Sequence, residues 1–116
     1  MELDTFLQRL KESPESIAFN DTMTVIDSLY EFTPTSFKNG SLINDAGKNN
    51  GSCKLFSFAR LQELSQQQTL NCFGAYYRDD VLNNPDGDDH QNIRNFMTTG
   101  WLGIEFDGTP LTPKKP

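Results

Sequence analysis

The sequence is poor in the residues that most directly betray chemistry. It has two cysteines, Cys53 and Cys72, one histidine and one tryptophan in 116 residues. Two cysteines without a leader segment imply reduced thiols of a cytosolic protein and not a disulfide framework. Bases are the minority: ten Lys and Arg stand against sixteen Asp and Glu, a net charge of −6. That balance excludes the basic footprint of a nucleic-acid binder. No apolar run approaches the roughly 20 residues of a membrane span, and no basic-then-apolar leader opens the chain. Internal repeats are absent, and the Pro/Lys tail is the sole biased segment.

What the chain does have is a core. Nine phenylalanines, three tyrosines and the tryptophan are enough to build one domain of this length. Leu3, Phe6, Leu7 and Leu10 recur at i, i+3, i+4 and i+7, a short amphipathic helix. Met23, Ile26, Leu29 and Tyr30 repeat the pattern, with Asn20 or Asp21 as the expected cap and Phe19 as a hydrophobic staple. Residues 32–37 are β-prone, but Pro34 restricts them to an edge strand or extended arm.

Gly51-Ser52 reads as a helix entry with Ser52 capping and Cys53, Phe56, Ala59 and Arg60 following. A strand over 54–58 is the competing reading. Leu64-Ser65 with Gln68 forms a capping box, opening the longest helix through Leu70, Phe73, Tyr77 and Val81. Gly74 in that helix calls for a close helix crossing. Pro85 stops the helix, and Asn84–Gly87 is a turn. Asp88 or Asp89 caps a last helix carrying Ile93, Phe96 and Met97, which Gly100 ends in a left-handed stop. Residues 101–106 alternate as a strand, and 109–116 fray. The expectation is a helix-dominated α+β domain over 1–111, about five helices with a two- or three-stranded sheet, and a flexible tail over 112–116.

The stretch from Asn39 to Lys54 carries four asparagines and three glycines between apolar runs. Its turn chemistry fits a connector that presents one face outward. No phosphate-loop or dinucleotide pattern follows it. Thr-Pro-Thr-Ser-Phe-Lys-Asn-Gly (33–40), Gly-Lys-Asn-Asn-Gly-Ser-Cys-Lys (47–54), Thr-Leu-Asn-Cys-Phe-Gly-Ala-Tyr-Tyr-Arg (69–78), Asp-His-Gln-Asn-Ile-Arg-Asn-Phe (89–96) and Gly100-Trp101 resemble the HopJ type III effector family. The resemblance implies a protein related to one proposed for secretion by a plant pathogen, with similar sequences widespread in bacteria, and no catalytic residue to carry over. A secreted effector usually opens with a disordered signal; a helix from Leu3 points instead to a cytoplasmic protein.

Two readings of function follow. The first is a binding or interaction module whose surface is built by residues 39–53 against 88–101. Its candidate ligand contacts are Asn39, Asn49, Asn50, Tyr77, Arg78, Asn92, Arg94 and Trp101, and its partner is a protein or a small molecule. The second is a cysteine-dependent hydrolase or transferase. There Cys53 is the nucleophile, activated at a helix start beside Lys54, with His90 as base and Asp89 orienting it. The competing structural role for Cys53 is a small buried residue. Asp86, Asp88, Asp89 and His90 cluster as metal ligands do, but Gly87 is misplaced for a calcium loop and no Glu closes it. Neither metal nor cofactor is expected.

Overall fold

The computed structural model describes residues 1–114. Among these residues five α-helices and two small antiparallel sheets surround one aromatic core, an α+β architecture. Helix α1 (Leu3–Glu12) buries Phe6 and Leu10, and α2 (Phe19–Leu29) buries Val25 and Ile26. Helix α2 starts earlier than the Asn/Asp pattern suggests, with Ala18 at its cap position. Asp21 is no cap; from the third helical position its carboxylate accepts the Ala18 N–H at 3.0 Å. Phe19 is therefore inside the helix.

Pro34 does more than mark an edge. Proline lacks the donor a ladder needs, and the β-prone segment is split into strands of different sheets. Strand β1 (Tyr30–Phe32) pairs with β5 (Leu111–Pro113), and β2 (Phe37–Asn39) lies between β3 (Leu42–Asn44) and β4 (Ile104–Phe106). The expected frayed tail thus contains a strand: Leu111 is buried, and Lys114 N–H donates to the Leu29 carbonyl at 2.9 Å. Lys115 and Pro116 lie outside the described residues. The strand read over 101–106 begins only at Ile104, because Gly100–Gly103 forms a 3-10 turn.

The Asn/Gly stretch is a hairpin followed by a helix start, where a plain connector was expected. Asn39 faces Leu42 across a two-residue turn with Gly40 at φ +61°, a conformation natural to glycine. Helix α3 (Asn50–Leu61) starts before Ser52, and its cap position is Asn49, left-handed at φ +54°. The competing strand over 54–58 does not form.

The Ser65 capping box is present: Ser65 Oγ accepts the Gln68 N–H at 3.1 Å, and Gln68 Oε1 accepts the Ser65 N–H at 3.0 Å. The long helix it was expected to open is broken. Helix α4 (Gln66–Asn71) stops, Gly74 adopts φ +64°, and a π-helical segment (Tyr76–Val81) follows. A Cβ at Gly74 would lie 2.6 Å from the Phe19 nitrogen. The close approach is real, but it occurs at a break in the helix. Helix α5 (Gln91–Thr99) completes the shell. Phe56 sits at the centre, its ring 4.9–6.4 Å from those of Phe96, Phe73, Phe37 and Trp101.

Candidate functional site

A cleft of about 550 Å³ opens where the start of α3 meets the start of α5. Asn49, Gly51 and Ser52 line it from α3, and His90, Gln91, Asn92 and Ile93 from α5. Leu42 of β3 and the rings of Phe19, Phe73 and Tyr76 complete the wall. Gly51 is needed there because a Cβ would come 2.9 Å from Phe19 Cζ. Phe19 and Phe73 stack with centroids 6.3 Å apart, and Tyr76 meets Phe19 edge-on at 5.2 Å.

His90 precedes α5 in a left-handed conformation at φ +49°, so neither Asp88 nor Asp89 caps that helix. Its ring lies 5.2 Å from Tyr76, and its Nε2 is 3.1 Å from Asp80 Oδ2 and 3.8 Å from Asp89 Oδ2. The π-helical segment thus supplies both groups that hold the imidazole. Asp89 belongs chiefly to Arg94, whose guanidinium sits 2.6 Å away and holds that carboxyl below its ordinary range.

Behind the cleft lies a relay of asparagines. Asn39 Nδ2 donates to the Asn92 backbone carbonyl at 2.7 Å and to Asn92 Oδ1 at 3.0 Å. Asn92 and Asn44 exchange two amide hydrogen bonds of 3.0 Å, and Asn49 Nδ2 donates to Asn44 Oδ1 at 2.7 Å. Asn39, Asn44 and Asn92 are buried, so these bonds meet the demand that buried polar groups be paired. Among the described residues Asn39 Oδ1 is the buried side-chain polar atom that lacks a partner.

Of the residues expected to contact a ligand, Asn49 and Asn92 line the cleft, and Asn39 stands behind Asn92. Asn50 is exposed at the first position of α3, outside the lining. Tyr77 is in the core with its hydroxyl 3.3 Å from Gln67, and its neighbour Tyr76 takes the place at the cleft. The Arg78 guanidinium donates to the carbonyls of Pro14, Asn71 and Ile17, tying the turn between α1 and α2 to the end of α4. Arg94 is spent on Asp89 and on the Asn84 carbonyl at 2.8 Å, bracing the turn before α5. The Trp101 indole donates to the Leu64 carbonyl at 3.1 Å, borders a separate cavity and stacks against Arg60.

The cysteine chemistry is not assembled. Cys53 is 1 % exposed and is absent from the cleft lining that contains His90. Its backbone N–H is bonded to the Asn49 carbonyl at 3.0 Å, so it is not one of the free donors of a helix start. Its Sγ points to the Thr35 carbonyl at 3.5 Å, and burial pushes the thiol up to about 11. Lys54 pairs with Asp27 at 2.9 Å. Cys72, fully buried, is pushed up to about 12, and both cysteines are free. Among the described residues no group of three His, Cys, Asp or Glu is placed to hold a metal, and no helix is long and apolar enough to cross a membrane.

Sequence reasoning set Tyr77 rather than its neighbour Tyr76 among the ligand contacts and missed Phe19, Phe73 and Asp80. The Tyr76–Asp80 spacing is the one signal that could have pointed to a shared face; the phenylalanines meet through long-range contacts that leave no local trace.

No curated protein matches this chain significantly. A solved crystal structure of a protein of unknown function, VPA0580, is similar throughout, with 56% identity, a TM-score of 0.96, and coverage of 98% of this chain and 95% of that one. The sequence also matches the family described as HopJ type III effector protein over residues 3–111. With nearly the whole domain matched, cleft included, the chain belongs to the HopJ type III effector protein family.

Proposed function

We propose that this protein is a non-catalytic binding module that holds a small molecule in the cleft between α3 and α5 and works in the cytoplasm. The carrying observation is the cleft itself: it is concave, walled on one side by Phe19, Phe73 and Tyr76, and edged by polar side chains of which Asn49 and Asn92 are held by the asparagine relay. Such a combination of apolar wall and few oriented polar groups is what ligand sites are made of. The cysteine-enzyme reading lacks its accessible thiol.

The test is a fragment screen by two-dimensional NMR on the full chain, with thermal shift as a second readout. Fragments that bind should perturb the amides of residues 49–52 and 90–93. Ser52→Phe, which fills the cleft, should abolish those perturbations, and Cys53→Ala should leave them intact. A screen that yields no ligand at these residues would defeat the proposal, as would fragments that ignore Ser52→Phe.

A further inference from the structure

Resting on the reading of the cleft as a binding site, we infer that its ligand is an uncharged planar heterocycle with adjacent hydrogen-bond donor and acceptor, of the kind a nucleobase presents. The polarity of the asparagine relay is set at its buried end. A backbone carbonyl can only accept, so the Asn39 contact to the Asn92 carbonyl fixes which end of the Asn39 amide is nitrogen. Asn92 Oδ1 must then accept from Asn39, and Asn92 Nδ2 must donate to Asn44 Oδ1. Asn44 Oδ1 in turn can only accept from Asn49 Nδ2. The polarity set in the core is thereby transmitted to the cleft.

At the cleft end, Asn49 uses one Nδ2 proton for Asn44. Among the described residues its other Nδ2 proton and its Oδ1 have no protein partner. The remaining proton and the oxygen give the cleft one donor and one acceptor from a single amide, the groups with which asparagine engages a base edge in two bonds. Tyr76, 44 % exposed, supplies a ring beside it for a planar ligand to stack on.

Charge settles the rest of the class. Among the described residues the cleft lining contains no Lys, Arg, Asp or Glu. Phosphate and carboxylate ligands are ordinarily gripped by Arg or Lys, and here His90 of the lining is itself held by the carboxylates of Asp80 and Asp89. The ligand is therefore read by its ring and its edge and not by an anionic group.

Titration of the isotope-labelled full chain with adenine, uracil, cyclohexanecarboxamide and inorganic phosphate tests this. Adenine or uracil should shift the signals of Asn49, Gly51 and Gln91 saturably, while phosphate and the non-planar amide should not. Asn49→Ala should weaken the base by about tenfold, the worth of a two-bond edge contact, and Tyr76→Ala by about fivefold or more through lost stacking. Phosphate binding as tightly as a base at these residues would overturn the inference, and so would equal binding by cyclohexanecarboxamide. If other fragments occupy the cleft and neither base does, the ligand class is wrong and the binding site stands; if nothing binds there, both fall.

Discussion

Cys53 shows how one residue's surroundings decide its chemistry. At an open helix start it would be a thiolate; in the core, against Thr35, it is a neutral thiol near 11. The unfolded chain ionises this thiol first, from about 9.0. Its contribution to stability is therefore complete below that pH and is lost as the pH climbs through about 11. Two outcomes are expected. At pH 8 an aromatic disulfide reagent should label Cys53 no faster than the protein opens, and urea midpoints should fall between pH 9 and 11 more steeply in the native protein than in Cys53→Ala. Rapid labelling of the folded protein at pH 8 would return Cys53 to the list of reactive thiols.

Asn92 is the second residue on which much depends. Its side chain accepts from Asn39 and Asn44 and donates to Asn44, all with little access to water. Truncation leaves the Asn44 amide nitrogen without its partner, and an orphaned buried polar group costs about 1–3 kcal/mol. Asn92→Ala should destabilise by about 3 kcal/mol in denaturant unfolding and also loosen Asn49, whereas Asn50→Ala, at an exposed neighbour of the same type, should be near neutral. Equal effects would mean that the relay contributes nothing.

At the scale of elements, the parts legible in the sequence were those whose cause is local. The stripe of α1 and the Ser65–Gln68 box need no distant partner to declare themselves. The break at Gly74 is different: Leu70, Phe73, Tyr77 and Val81 in register suggested one helix from the Ser65 box to before Pro85, and the approach of Ala18 and Phe19 explains why the chain turns left-handed there. The π-helical segment that follows, and with it the placing of Tyr76 and Asp80 on His90, is equally a tertiary result. Half of the site was readable for the same reason: residues 39–53 and 88–101 are rich in turn-forming and amide side chains, but their aromatic wall comes from elsewhere in the chain. Gly74→Ala tests the break. A left-handed alanine costs about 1–3 kcal/mol before any clash, and its Cβ would meet backbone at 2.6 Å. The substitution should lower stability by more than about 3 kcal/mol and shift the amide signals of Phe19 and Tyr76. A helix able to run straight through would instead be stabilised by alanine.

For the whole molecule, the two sheets divide the work. The three-stranded sheet contributes Leu42 and, through Asn39 and Asn44, the relay behind the cleft. Among the described residues the β1–β5 ribbon contributes none to the cleft; it lays the segment after β4 over the core, with Leu111 2 % exposed and Thr33 N–H bonded to the Pro110 carbonyl at 2.8 Å. Deleting residues 111–116 removes one buried leucine, worth about 1.5–3 kcal/mol, and ladder bonds worth about 1 kcal/mol each. A domain of this length is stable by roughly 6–17 kcal/mol, so the shortened chain should still fold. Its Tm should fall by about 15 °C or more, while fragments found in the cleft of the full chain keep their affinity within about twofold. Loss of binding in a shortened chain that remains folded would show that the ribbon supports the cleft after all, and an unchanged Tm would show that β5 adds nothing to the core it covers.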